Sequence, residues 1–188
     1  MPPSEPTNSN SGTNYRGQNL QGARWVDRQL NGSDLQQVQA NQSAFENVSF
    51  IDCIFHASVI RDATWSGCKL DNCQGRFLEM ETVNLQGSTL VNSTFESGSF
   101  YGVCFDDCNI EQTSLTNSDL RYCTFRNSRL SGVNLNNCDL AHADFTGCSI
   151  ENLSVYNARI TNAIGLTPEQ RDQLLAGGAY EGLPPAIN

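Results

Sequence analysis

The sequence predicts an all-β protein wound as a coil that turns a corner every five residues, closed at its C-terminal end by a short helix. Three observations point there. The chain of 188 residues is 38% hydrophobic and 16% charged, and its largest remaining classes are 20 Asn, 18 Ser and 15 Gly. Those residues compete with helical hydrogen bonding and favour turns, which argues against a helical bundle. Large apolar side chains stand at 27 of the 29 positions divisible by five between Leu20 and Ile160, and the register never slips. Asn, Gly or Asp stands two residues after 20 of those 29 centres, as at Gly22, Asn47, Asp52 and Asn162.

A period of five fits neither the 3.6 of a helix nor the 2 of a flat strand. Five-residue sides joined by tight turns satisfy it, because Asn, Asp and Gly accept left-handed backbone. Two residues before each centre the side chain is small at 25 of 28 positions, with Arg28, Leu78 and Leu153 as the exceptions. The centre and the small residue therefore both point inward. Four sides make a coil of 20 residues, and about 7.5 such coils stacked at strand spacing give a rod roughly 36 Å long. Every twentieth residue then lines one column. One column reads Trp25, Phe45, Trp65, Leu85, Phe105, Phe125, Phe145 and predicts a ladder of stacked rings.

Stretches such as AHADFTGCSI, TNSDLRYCTF and SGVNLNNCDL resemble the A(D/N)Lxx unit of the pentapeptide-repeat family. The resemblance spans residues 15–164. It implies the family's right-handed quadrilateral β-helix; the square section and the hand come from the resemblance and not from the period. The segment NYRGQNLQG, Asn14 to Gly22, also resembles the start of many cyanobacterial members.

The segments divide as follows. Residues 1–14, rich in Pro, Ser, Asn and Thr, read as a disordered tail, and 15–164 as the β-helix. In 165–188, Thr167, Pro168, Glu169 and Gln170 form a helix start with a capping box, and Gly177 and Gly178 a stop. A helix over 167–176 is expected to cover the last coil with Leu166, Leu174 and Leu175, followed by an extended tail through Pro184 and Pro185. Gly75 breaks the series of large centres, and Phe77 and Leu78 stand where a turn former and a small residue are expected. This predicts a coil re-routed between Gly75 and Met80 that fills its own gap.

Seven of the eight cysteines, Cys53, Cys68, Cys73, Cys108, Cys123, Cys138 and Cys148, occupy the small inward position. Packing accounts for them without a disulfide or metal, and Cys104 alone sits outward. His56 and His142 lie more than four coils apart on outward positions, so neither a metal site nor a catalytic triad can be assembled. No glycine cluster suited to phosphate is present. The reading is a protein that is not an enzyme, with no cofactor and no metal.

Met1 to Asn14 carry no basic segment followed by an apolar one, and no run approaches a membrane span. A cytoplasmic protein is expected, with reduced thiols and no membrane contact. The net charge of -9 disfavours direct nucleic-acid binding.

Function must then lie on outward positions. A candidate acidic face comprises Asp62, Asp71, Glu79, Glu81, Glu96, Asp106, Asp107 and Glu111, followed by a basic step at Arg121, Arg126 and Arg129. A candidate apolar patch comprises Ile51, Ile54, Val59 and Phe77. The leading reading is a rigid interaction module for a protein partner. Some members of the family that the repeats resemble, the quinolone-resistance proteins, are DNA-mimicking rods that bind DNA gyrase, and this implies the alternative partner. The repeat region holds 16 acids and 10 bases. A duplex of the same length carries about 21 phosphate charges, far above that net of -6.

Overall fold

The computed structural model describes residues 11–182; the expectations for the first ten residues and for the segment holding Pro184 and Pro185 lie outside the described residues. Nine three-residue strands are β1 (Arg24–Val26), β2 (Ala44–Glu46), β3 (Val59–Arg61), β4 (Thr64–Ser66), β5 (Glu79–Glu81), β6 (Thr89–Val91), β7 (Asn109–Glu111), β8 (Arg129–Ser131) and β9 (Ser149–Glu151). All pair in parallel at an offset of 20, as in Trp25↔Phe45, Phe45↔Trp65, Ile60↔Met80 and Leu90↔Ile110. Isolated bridges at the same offset complete four ladders, beginning at Asn14↔Asp34, Asn19↔Gln39, Arg24↔Ala44 and Gln29↔Ser49. The protein is a parallel β-solenoid with four sides. The ladder starts before the position where the tail was expected to end, since Gly12 N–H already donates to Asn31 O at 2.8 Å.

The corners form because every fifth residue from Gly12 to Asn162 has φ between 49° and 71°. Nine of these are glycine and 22 are not. Left-handed backbone costs an ordinary L-residue roughly 1–2 kcal/mol, and Asn and Asp tolerate it best. At the corners from Gly12 to His142 the left-handed N–H reaches the next coil, as Gln37 N does to His56 O at 2.9 Å.

The small inward position turns out to be a hydrogen-bonding position as well. Ser128 Oγ donates to Phe105 O at 2.5 Å and accepts from Cys108 N at 2.9 Å. Ser88, Ser93 and Thr113 act in the same way, and a thiol supplies the donor half at Cys53, Cys73, Cys108, Cys123 and Cys138. Buried backbone groups need partners, and a side chain just long enough to reach one coil back provides them. The aromatic column stacks as expected, with Trp25–Phe45 at 4.4 Å and Phe105–Phe125 at 5.1 Å between ring centroids.

The coil is not re-routed at Gly75. Its backbone keeps register, with Gly75 N donating to Thr94 O at 2.8 Å and Met80 N to Ser99 O at 2.7 Å. Side chains fill the gap instead: a Cβ on Gly75 would lie 2.5 Å from Phe95 Cδ1 and 3.2 Å from Leu78 Cδ2. Gly98, one coil above Leu78, leaves room for the Phe100 ring and the Leu78 carbonyl, since its Cβ would lie 2.6 Å from Phe100 Cε2 and 2.8 Å from Leu78 O.

Helix α1 (Pro168–Ala176) follows with its capping box formed, Gln170 N donating to Thr167 Oγ1 at 3.2 Å and Thr167 N to Gln170 Oε1 at 2.9 Å. Leu174 is buried and Leu166 partly so, but Leu175 is 39% exposed. A helix of 9 residues turns only one side to the coil, and adjacent residues cannot both face it. Ala179 and Tyr180 return to pair with the last coil, Tyr180 N donating to Ala158 O at 2.9 Å.

Candidate interaction surface

The interior is filled by its own side chains, from Leu20 to Ala179, and the large centres are almost all below 5% exposure. Chemistry is left to the four outer sides. We name them by their centres: the first through Trp25 and Phe45, the second through Leu30 and Phe50, the third through Leu35 and Phe55, the fourth through Ala40 and Ile60.

The eight acids do not form one face. Asp106 and Asp107 lie on the first side, Asp71 and Glu111 on the second, Glu96 on the third, and Asp62, Glu79 and Glu81 on the fourth. They are neighbours along the chain, but each five residues carry the chain to the next side. Each also has a partner. Arg61 pairs with Glu79 and Glu81, Arg126 with Asp106, and Arg129 with Glu111. Asp62 accepts from Thr82, Asp71 from Thr89, Glu96 from Ser114 and Asp107 from Gln86.

The basic step is likewise divided among three sides and engaged: Arg121 with Asp119 at 2.7 Å, Arg126 with Asp144 at 2.7 Å, Arg129 with Glu151 at 3.0 Å. Burial by itself would raise the Asp144 carboxyl. Hydrogen bonds from Thr146 and Arg126, with the guanidinium charge, outweigh it and hold that carboxyl below the usual carboxylate value. Asp119 is held low by the same balance with Arg121.

The apolar group is dispersed as well. Ile51, Ile54 and Val59 stand on three different sides and are half-buried, whereas Phe77 is 54% exposed at the corner between the third and fourth sides. The seven inward cysteines are buried and unpaired, and Cys104 is the half-exposed one. Burial pushes the thiols of Cys53, Cys68, Cys108, Cys138 and Cys148 up to about 12. Cys73 and Cys123 are raised too, by the same cause. Such thiols are neither nucleophiles nor ligands at neutral pH. Among the described residues no three His, Cys, Asp or Glu side chains gather as a metal set, and no helix is long and apolar enough to cross a membrane.

A strip along the fourth side escaped the sequence reading. Tyr101 and Tyr122 rings lie 5.3 Å apart, and His142 stacks on Tyr122 at 4.7 Å and 4°. Arg121 lies over Tyr101 at 5.4 Å and reaches towards Asp139, which also pairs with Arg159 at 3.3 Å. With Arg61, Glu79 and Glu81 this makes a continuous charged and aromatic strip. The signal was present as outward aromatics one coil apart, offset by 21 and 20 residues.

Residues 98–164 match the family model described as a pentapeptide repeat region, and the same register runs through all four ladders. Residues 98–164 carry a pentapeptide repeat region. Two solved pentapeptide folds are similar to the chain. HetL, a pentapeptide repeat protein involved in heterocyst differentiation regulation from the cyanobacterium Nostoc sp. Strain PCC 7120, aligns over 81% of this chain and 74% of its own at TM-score 0.56 and 16% identity. A trypsin-treated variant of QnrB1, a plasmid-mediated fluoroquinolone resistance protein, aligns over 93% and 95% at TM-score 0.52 and 17% identity. At these identities the likeness is one of fold. No protein of curated function matches the chain by sequence. The five-residue repeat thus accounts for the interior, and the outward residues are the chain's own.

Proposed function

We propose that this protein is a non-enzymatic pentapeptide-repeat interaction module, a rigid rod that presents its outward side chains to a protein partner. The observation that carries the reading is the strip on the fourth side, where Arg61, Glu79, Glu81, Tyr101, Arg121, Tyr122 and His142 stand exposed or half-exposed in consecutive coils. Tyr and Arg are enriched at the centres of protein interfaces because they combine large contact area with directed polar groups. Of the acids singled out in the sequence, Glu79 and Glu81 belong to this strip and Asp62 borders it, while Asp106 and Asp107 stand on the adjoining first side. Affinity capture from the source organism tests the reading. Charge reversal at Glu79 and Glu81 is expected to lose the captured partner, and reversal at Asp106 and Asp107 to retain it. Equal capture by all variants would make the strip ordinary solvated surface.

A second reading takes DNA gyrase as the partner, through mimicry of DNA. The fold likeness to QnrB1 along nearly the whole chain favours it. The charge pattern weighs against it, since the acids are divided among four sides and half of them are paired with Arg61, Arg126 and Arg129. A supercoiling assay separates the two: neither inhibition nor quinolone protection at micromolar protein removes gyrase from consideration.

A further inference from the structure

Phe77, with Tyr122 and Thr82, is among the residues least suited to a left-handed corner. Its φ is 58° at a corner otherwise held mainly by Gly, Asn and Asp, and more than half of its surface is exposed. A bulky residue with left-handed backbone is an outlier that folding alone does not favour. Its neighbour Arg76, like Arg16, Arg24 and Lys69, makes no ion pair among the described residues. Arg61, Arg121, Arg126, Arg129 and Arg159 all have carboxylate partners. Among the described residues no carboxylate lies within ion-pair distance of Arg76, whose guanidinium instead stands 4.8 Å from the centre of the Phe77 ring. Glu96, one coil above Arg76 in the same column, is turned to Ser114 Oγ at 3.2 Å. Below it, His56 Nδ1 accepts the Arg76 backbone N–H at 2.9 Å. Arg76, His56, Gln74, Asn92, Thr94 and Glu96 line an open surface recess on the third side.

We propose that this corner docks a segment of a partner protein that carries a carboxylate next to an apolar side chain. The carboxylate takes the free fork of Arg76 and the apolar group lies on the exposed ring of Phe77. A guanidinium without an ion pair is complementary to an acid, and Glu96 in the same recess is engaged by Ser114 Oγ. The ring holds the guanidinium by cation–π attraction in a ready orientation, which lowers the ordering cost on binding. The corner adjoins the fourth-side strip at the coil of Glu79 and Glu81, so the proposal rests on the interaction-module reading and names the chemistry of one contact within it.

The test is an NMR titration of the full chain with an N-acetylated Asp-Phe-Asp peptide, and with the Lys-Phe-Lys peptide as control. The expected result is millimolar binding of the acidic peptide alone, with shifts confined to the Arg76 Nε–H, the Phe77 ring and His56, and at least a tenfold weakening in Arg76→Gln and in Phe77→Gly. No shift at 10 mM peptide, equal shifts with the basic peptide, or shifts unchanged in both variants would overturn the proposal. Phe77→Gly has a second readout that does not depend on a ligand. A residue retained for binding is replaced by glycine at no cost in stability, so the thermal midpoint should stay level or rise, by about 2–4 °C if the full left-handed strain is relieved. A clear fall would make Phe77 a packing residue and overturn the proposal. If the peptide fails to bind while a protein is still captured through the strip, the corner proposal falls and the interaction-module reading stands.

Discussion

Leu78 fills the space that Gly75 leaves, with its Cδ2 3.2 Å from where a Gly75 Cβ would project. Large and small have exchanged places across one corner, and Gly98 in the coil above leaves room for the Phe100 ring. Leu78→Ala should cost about 2–5 kcal/mol, as a fully buried leucine leaves a cavity that a stacked coil cannot collapse. Gly75→Leu alone should also destabilise, by about 1–3 kcal/mol, through overpacking against Phe95. Combining the two should cost less than the sum. Urea unfolding of the three variants checks this, and strict additivity would mean that the residues do not share the space.

The corner positions make a separate prediction. Ala57 has φ 54°, with no side-chain hydrogen bond to compensate for it. Ala57→Gly should stabilise by about 1 kcal/mol, and Gly87→Val, at φ 70°, should destabilise by at least as much. Thermal unfolding midpoints are the measurement, and opposite shifts are expected.

Thiol chemistry should be silent in the folded protein except at Cys104. An aromatic disulfide reagent should titrate one thiol under native conditions and eight after denaturation. The buried thiols also set a pH dependence. Burial raises Cys53, Cys68, Cys108, Cys138 and Cys148 from the ordinary 9.0 to about 12 in the folded state. Between those values the unfolded chain binds fewer protons than the native one. Stability is therefore fully present below pH 9 and is lost as pH rises towards 12. The urea midpoint should fall steeply over that range, and Cys108→Ser, which keeps a donor for Leu85 O, should make the fall shallower. A midpoint that is flat from pH 9 to 11 would contradict this.

Asp144 carries the opposite pH dependence. Its carboxylate is 7% exposed and accepts from Thr146 N at 2.9 Å, Thr146 Oγ1 at 2.6 Å and Arg126 Nε at 2.7 Å. Its folded value lies below the ordinary 3.8, so the unfolded chain takes up the proton first as pH falls. The contribution is present above about pH 4 and is lost below it. Asp144→Ala should cost about 1–3 kcal/mol at neutral pH, as three donors lose their acceptor, and the loss should shrink as pH falls below about 4.

The cap gives a smaller effect. Thr167→Ala removes the acceptor for Gln170 N and should cost about 1 kcal/mol. Because Gln170 Nε2 also donates to Cys148 O at 3.0 Å, amide exchange should rise first at the last coil and not along the rod.

The period of five by itself determined which side chains point inward, where the corners lie and which residues stack one coil apart. That was legible because each five-residue unit obeys one local rule: a small residue, a large centre and a left-handed corner. The cysteines could be read as interior from the same rule. Counting residues along the chain failed for the acids, since Asp62 to Glu111 are close in sequence but a quarter-turn at every corner sends them to four sides. Their addresses were available in the register of 20, whereas their partners were not. Which neighbour an outward side chain chooses depends on reach and competition between coils: Ser114 draws Glu96 upward, and Arg76 turns to the ring of Phe77. The serine and cysteine hydrogen bonds to carbonyls 23 residues back, and the filling of Gly75 by Leu78 and Phe95, were likewise decided only by the tertiary structure. A local repeat specifies direction, but distance between coils exists only once they are stacked.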